Sequence, residues 1–215
     1  LNSLRNEDTT NGAVAVGYET LTNQNSGESY AYNTAIGYRA LKQLTTGEYN
    51  TALGSDSMSV GNVTSDYNTA LGYEAGKNLT SGDNNTIVGY AGRALTTGGR
   101  NVAIGSLALN QEDEHGNNVA IGFYALQAQN AGTNAYNVAI GYDAGKSVTT
   151  GVNNTIVGGL AGDALTTGAR NTALGYAALG SEDTGSRNVA IGYNSLSALN
   201  FDGVTYNTAV GYNSG

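Results

Sequence analysis

Apolar and polar positions alternate in a five-residue phrase that recurs along the chain. The phrase begins with Asn in eleven of its twelve copies, and Thr or Val, usually Ala, a branched aliphatic residue and Gly follow, as in NVAIG at residues 101–105. The copies are spaced almost evenly, and three successive ones begin at Asn101, Asn118 and Asn137. Alternation with a period of two predicts a short β-strand with two different faces. One face carries Thr or Val and Ile, Leu or Val, and the other carries Ala and Gly.

The interval between copies identifies the structural unit. Turn sequences such as LTTG at 44–47 and VTTG at 148–151 lie between the phrases and place Gly where a turn needs a positive φ. A unit of about 17 residues with two short strands and two turns is typical of one coil of a β-solenoid. We therefore predict an all-β fold, a parallel β-solenoid (β-roll) of about twelve coils over residues 13–215. Residues 1–12 are predicted to be an N-terminal extension or an incomplete coil.

The last residue of the phrase is Gly in every copy, which predicts a structural role at each position. These repeat glycines are Gly17, Gly37, Gly54, Gly72, Gly89, Gly105, Gly122, Gly141, Gly158, Gly175, Gly192 and Gly211.

Four successive copies of the phrase together form a longer repeat. YNTALGYEAGKNLTSGDNNTIVG from Tyr67 returns as YNVAIGYDAGKSVTTGVNNTIVG from Tyr136. The third residue of the phrase is Ile only at Ile87 and Ile156, and the smaller Val follows it in both copies. This pairing predicts that a larger side chain on one face of the strand is compensated by a smaller one on the other face.

Composition agrees with stacked coils and excludes several classes of function. The chain of 215 residues has no Pro and no Cys, 12% charged residues and a net charge of −8. Proline would remove a ladder hydrogen bond in almost any coil, and a repeated charge would stack on its own copy about 4.8 Å away. The acidic balance argues against binding to nucleic acid or to anionic membranes. No apolar run approaches the ~20 residues of a membrane span, so no membrane insertion is expected.

The Ala/Gly face raises the question of assembly. Small side chains either fit a narrow coil interior or let a neighbouring chain approach closely, and we predict the second arrangement. The fragment is therefore expected to form a parallel homotrimer. The candidate trimer-interface residues are Ala35, Ala52, Ala70, Ala103, Ala120, Ala139, Ala173, Ala190 and Ala209.

Few residues suggest chemistry, and we predict no enzyme activity, no catalytic residues, no cofactor and no metal site. The single histidine, His115, lies in the acidic sequence NQEDEHGNN. The matching turn one long repeat later, GSEDTGSRN, keeps Glu182 and Asp183 without a histidine. A solvated acidic turn therefore explains this segment better than a metal or proton-transfer site.

Two repeated side-chain types have alternative interpretations. A tyrosine often follows the repeat glycine and can either bind sugars as an aromatic ladder or shield the edge of the coil, and we favour shielding. Thr-Thr pairs precede Gly in the turns, which leaves an ice-binding array only a remote alternative. The tyrosines are Tyr18, Tyr38, Tyr73, Tyr90, Tyr142, Tyr176, Tyr193 and Tyr212.

The phrases NTAIGYRAL, NVAIGFYAL and NVAIGYNSL resemble two kinds of known repeat. They are similar to the head repeats of YadA-like trimeric autotransporter adhesins, and more closely to the shaft repeats of bacteriophage tail fibres. The resemblance covers nearly the whole chain from Ala13. In the adhesin family each chain forms a left-handed parallel β-roll, and three rolls pack about a common axis. The resemblance implies the same arrangement here. This chain departs from the adhesin pattern in its longer coil and in the Tyr that follows the Gly.

Together these observations predict a structural shaft of an extracellular or virion fibre, on a phage or a bacterial surface, that displays a receptor-binding tip. The alternative is a trimeric surface adhesin head that itself binds glycan or matrix on a host. A solenoid enzyme such as a polysaccharide lyase is expected to interrupt its repeat with long loops, whereas the inserts between these phrases are short.

Overall fold

The computed structural model describes residue 3 and residues 12–25, 30–199 and 203–215. The predicted N-terminal extension, 1–12, lies almost entirely outside the described residues. Each copy of the phrase forms one three-residue strand. The strands are β1 Val14–Val16, β2 Thr34–Ile36, β3 Thr51–Leu53, β4 Thr69–Leu71, β5 Thr86–Val88, β6 Val102–Ile104, β7 Val119–Ile121, β8 Val138–Ile140, β9 Thr155–Val157, β10 Thr172–Leu174, β11 Val189–Ile191 and β12 Thr208–Val210.

The twelve strands form one parallel sheet in sequence order, β1 to β12. Equivalent residues pair in register, so that Thr51 lies beside Thr69 and Ala52 beside Ala70. The chain therefore winds through about eleven turns of a β-solenoid, which confirms the predicted fold class. Within the described residues no helix is long and apolar enough to cross a membrane.

Each coil contains one strand and not the two that we predicted. The second stretch, around LTTG, connects neighbouring coils by single backbone hydrogen bonds, such as Thr80 N to Thr96 O at 2.9 Å. Leu44 and Val63 form an isolated parallel bridge there. The small, turn-forming residues of this stretch curve the backbone too strongly for a continuous ladder.

Most of the repeat glycines lie where neighbouring coils approach closely. Gly54 has a φ of 137°, and a β-carbon built on it would lie only 2.3 Å from the carbonyl oxygen of Gly72 in the next coil. The backbone conformation and the close approach both exclude a side chain at this position. The predicted structural role of this glycine column follows from both constraints.

The alanine column lies inside the coil, and this corrects the expected trimer interface. Ala35, Ala52, Ala70, Ala103, Ala120, Ala139, Ala173 and Ala190 are fully buried within one chain, and Ala209 is 9% exposed. They pack against a column of larger side chains that includes Leu41, Leu109 and Leu126. The narrow interior leaves room only for a small residue opposite these larger side chains, and the buried alanines retain no surface for another chain.

The extra volume of the two isoleucines in this column is not compensated in the way that we predicted. A β-carbon on Gly145 would lie 2.9 Å from Cδ1 of Ile156, and one on Gly162 would lie 3.4 Å from the same atom. Both glycines stand where other coils have a leucine. Ile156 thus fills space that two missing leucines leave, and Val157, on the outer side of the strand, is not the compensating residue.

A buried asparagine ladder joins the coils along the rod. From Asn50 onward, the first residue of each phrase donates its backbone N–H to the side-chain oxygen of the preceding Asn, as Asn154 does to Asn137 at 2.8 Å. Ten successive bonds of this kind measure 2.8–3.1 Å. The side-chain amide then reaches a turn carbonyl of its own coil, for example Asn154 Nδ2 to Gly168 O at 2.9 Å. Stacked Asn side chains therefore satisfy buried backbone groups in nearly every coil.

Candidate functional site

The outer face of the strands is the largest candidate interaction surface. Because the alanines point inward, the residues on either side of each alanine point outward. Leu53 is 49% exposed and Leu174 is 46% exposed. The same face carries further exposed aliphatic side chains at Val14, Val16, Ile36, Ile140 and Val210. Its twelve strands contain no charged residue, so this surface is a long uncharged stripe.

Stacked aromatic rings run beside this stripe. Tyr176, Tyr193 and Tyr212 stack with ring centroids 5.3 and 5.2 Å apart, and Tyr18 stacks on Tyr38 at 5.6 Å. Tyr73 stacks on Tyr90 at 5.9 Å, and Tyr142 stacks on Phe123 at 5.7 Å. Most of the rings are at least 40% exposed, so they line the outside of the coil more than they cover it. Since neighbouring rings face one another, much of the ring surface on which a sugar would stack is already in contact.

Several charged side chains at variable positions form ion pairs, some within a coil and some between neighbouring coils. Glu74 binds Lys77 at 2.5 Å and Arg93 at 2.7 Å, and these cations hold the pKa of its carboxyl below the ordinary value. Arg39 binds Glu19 at 3.0 Å, and its guanidinium also lies 4.7 Å from the ring centre of Tyr38. The carboxylates of Glu74 and Glu19 are therefore neutralised locally, each by two cations.

The Thr-Thr pairs belong to the turns, as predicted. Thr96 and Thr166 each donate their hydroxyl to a backbone carbonyl of the next coil, at 2.9 Å in both cases. The second threonine of each pair, such as Thr46 or Thr167, is exposed. These residues form a turn edge and lie outside the flat strand face.

The acidic turn around His115 is solvated only in part, because its first carboxylate, Glu112, lies in the interior, and this corrects the sequence-based interpretation. Glu112 and Glu182 are fully buried. They occupy an interior column that other coils fill with Leu79, Leu95 or Leu165. Burial raises the pKa of the Glu112 carboxyl, although a hydrogen bond from the backbone N–H of His115 opposes this shift. Aligning the turns on the period of the repeat would have revealed a glutamate in register with leucines.

Glutamine occupies the same column in two other coils and is hydrogen-bonded there. Gln129 Oε1 accepts a hydrogen bond from Asn137 Nδ2 at 2.6 Å, and Gln129 Nε2 donates to Thr149 O at 3.0 Å. One carboxylate oxygen of Glu112, Oε2, has no such partner among the described residues, and Nδ1 of His115 has none either. The interior column therefore tolerates polar groups, but Glu112 and His115 each keep one polar atom without a hydrogen-bond partner.

No family model, curated protein or solved structure matches this chain. The candidate functions consequently depend on the repeat, the outer strand face and the His115 turn.

Proposed function

We propose that this chain is the structural shaft of an extracellular or virion fibre, such as a tail fibre or a bacterial surface fibre, that carries a receptor-binding tip. The observation that supports it is the uninterrupted in-register stack of twelve strands. At about 4.8 Å per strand the rod is roughly 50 Å long. The phrases follow one another without long insertions in the sequence, so the chain supplies length and stiffness in place of a recessed catalytic cleft.

We further propose that the shaft is a parallel homotrimer assembled through the outer strand face. This face, from the second residue of the phrase to the tyrosine after the glycine, covers roughly 50 by 13 Å, or about 650 Å² per chain. A standard protein interface buries about 800 Å² per partner, so the face is close to the required size. A long uncharged surface of exposed aliphatic and threonine side chains is typical of an interaction site.

A second copy of the same chain fits this face better than an unrelated partner. Its outward side chains repeat with each coil, and another copy repeats them with the same spacing. Three copies in register therefore place aliphatic residues opposite one another along the whole length of the rod.

Light scattering tests the assembly. We expect the purified chain to have a mass three times the 21.9 kDa of one chain. Leu53→Lys combined with Leu174→Lys should reduce it to a monomer, because the added charges would be buried in the interface. Thr46→Lys combined with Thr167→Lys adds the same charge to exposed turns and should leave the trimer intact. For the unmodified chain, a mass near 21.9 kDa would contradict the trimer.

Glycan binding separates the shaft from the adhesin alternative. The exposed tyrosine stacks are the surface on which a sugar-binding head would depend. If the chain is a shaft, it should give no specific signal when it is applied to a glycan array. Reproducible binding that Tyr193→Ala abolishes, without loss of the assembled mass, would favour the adhesin function and would leave the oligomeric state unaffected.

A further inference from the structure

Three potential ligand side chains converge in the turn after strand β6. One ligand atom each of Glu112, Asp113 and His115 lies within 4.8 Å of the other two. Glu112 is fully buried, and its Oε1 lies 3.9 Å from Nδ1 of His115. The second carboxylate oxygen and this imidazole nitrogen are both buried and lack a hydrogen-bond partner among the described residues. Two unpaired groups of this kind in one place are costly unless something binds between them.

The matching turn one long repeat later lacks the histidine and does not have this defect. Gly185 stands in register with His115, and its N–H donates to Glu182 Oε1 at 2.7 Å. The corresponding bond from His115 to Glu112 Oε1 is longer, at 3.2 Å. Neither carboxylate oxygen of Glu182 belongs to the unpaired atoms of the described residues. The unpaired ligand atoms therefore occur only in the turn that contains the histidine, and they are not a general property of a buried glutamate in this column.

We propose that Glu112, Asp113 and His115 bind one divalent metal ion of the Zn²⁺ class. Zinc accepts imidazole nitrogen and carboxylate oxygen at about 2.0–2.2 Å, and three protein ligands with one water is a common coordination. In a tetrahedral site of this kind two donors are about 3.4 Å apart, so groups that lie within 4.8 Å of one another need to close by at most about 1.5 Å. Asp113 and His115 are partly exposed, which gives the ion a path from solvent.

The donor set also favours one class of ion over another. An imidazole nitrogen suits zinc and its transition-metal neighbours, whereas Ca²⁺ takes six to eight oxygen ligands. A bound divalent cation would compensate the negative charge of the buried Glu112 carboxylate, and both unpaired atoms would coordinate it. The competing explanation is a proton shared between Glu112 and His115, which needs no metal.

The chain contains a single histidine, so its imidazole NMR signals report on this turn alone. Titration of the whole chain with Zn²⁺ should shift these signals and saturate at one ion per chain, and calorimetry should give the same stoichiometry. Glu112→Gln and His115→Gly should each weaken Zn²⁺ binding at least about tenfold. Both variants use residues that the chain itself places at these positions, Gln129 and Gly185, and should fold.

Glu182→Gln is the matched control, because it alters the equivalent turn without a histidine and should leave Zn²⁺ binding unchanged. Imidazole signals that do not respond to Zn²⁺ would overturn the metal site and leave the shared proton as the explanation of this turn. Zn²⁺ binding that survives both His115→Gly and Glu112→Gln would place the ion elsewhere and overturn it equally.

Discussion

Cδ1 of Ile87 lies 2.7 Å from the point that a β-carbon on Gly76 would occupy. Gly76 stands one coil before Ile87, at a position where other coils bury Leu41 or Leu109. A second glycine, Gly92, lies in the coil of Ile87, and its β-carbon would be 3.4 Å from the same atom. One isoleucine in the alanine column therefore occupies the space of leucines that two neighbouring coils lack.

This packing predicts strong coupling between Ile87 and Gly76. Ile87→Ala should cost about 2–5 kcal/mol, since it leaves a cavity beside two glycines. Gly76→Leu alone should cost about 1–3 kcal/mol because the new side chain overlaps Ile87. The double variant restores the Ala-and-Leu arrangement of the other coils, and Leu41 already adopts the required positive φ of 49°. Its cost should be at least about 1 kcal/mol below the sum of the single costs.

Denaturant unfolding of the four proteins measures this coupling. The pair Ile156 and Gly145, in the second long repeat, is the internal replicate and should behave in the same way. Additive costs at both sites would show that the two positions do not share one volume.

The repeat glycines predict a second effect, which depends on the distance between coils. Gly122→Ala would place a β-carbon 2.2 Å from the carbonyl oxygen of Gly141, at a φ of 134°. The strained backbone and the overlap should together cost about 2–5 kcal/mol of unfolding free energy. Thermal or denaturant unfolding should show this loss as an earlier transition.

Gly132→Ala provides the matched comparison. Gly132 also has a positive φ, 64°, but a β-carbon there would meet nothing within 4 Å. Its cost should be that of the backbone conformation alone, about 1–2 kcal/mol. Equal losses at the two sites would mean that the close approach of the coils contributes nothing.

The sequence predicted the solenoid because its period is visible at every phrase. Stacking explains the recurrence of Asn and the glycine column, since both satisfy requirements that each coil repeats. The direction of the strand faces was harder to predict. Alternation assigns Ala52 and Leu53 to opposite faces, but it does not say which face is inside, and hydrophobicity alone favours burying the leucine. The interior is instead filled by Leu41 and Met58, from the turn that follows each strand.

The buried carboxylates were missed for a related reason. Glu112 lies next to Asp113 and Glu114, and such a run is normally solvated. Its place in the core is set by register with Leu95 in the preceding coil, which the local sequence does not show. The contact between Glu112 and His115 depends on how the turn closes, and the histidine has no counterpart in the second long repeat.

The asparagine ladder predicts that the side chain of a single interior Asn supports two neighbouring coils. Asn154 Oδ1 accepts the N–H of Asn171 at 2.9 Å, and Asn154 Nδ2 donates to Gly168 O. Asn154→Ala would leave both backbone groups buried and unpaired, at about 1–3 kcal/mol each. Hydrogen exchange should show the Asn171 amide losing protection most strongly. Asn130→Ala, at an exposed position without a positive φ, should have a much smaller effect on both stability and exchange.

The raised pKa of Glu112 predicts that this residue makes the fold less stable as the pH rises. Its carboxyl is protonated more readily in the fold than in the unfolded chain, whose ordinary value is near 4.5. The folded state therefore holds more protons above that value, and the Glu112 contribution, fully present below pH 4.5, is lost as the pH rises through the raised pKa. Glu112→Gln should remove this dependence and stabilise the chain at neutral pH. Gln129 shows that the interior column accepts a hydrogen-bonded amide.

The measurement is denaturant unfolding of both proteins from acidic to slightly alkaline pH, with a chelator present so that no divalent metal compensates the charge. Subtracting the two profiles isolates Glu112 from groups such as Glu19 and Glu74, whose pKa values are lowered by their cations and which act in the opposite direction. The difference should grow with pH and then level off above the raised pKa. Because Asp113 and His115 lie beside the carboxyl, Glu112→Gln in a His115→Gly background should retain the sign of the effect. A difference that is constant across the range would show that Glu112 titrates alike in the folded and unfolded chain.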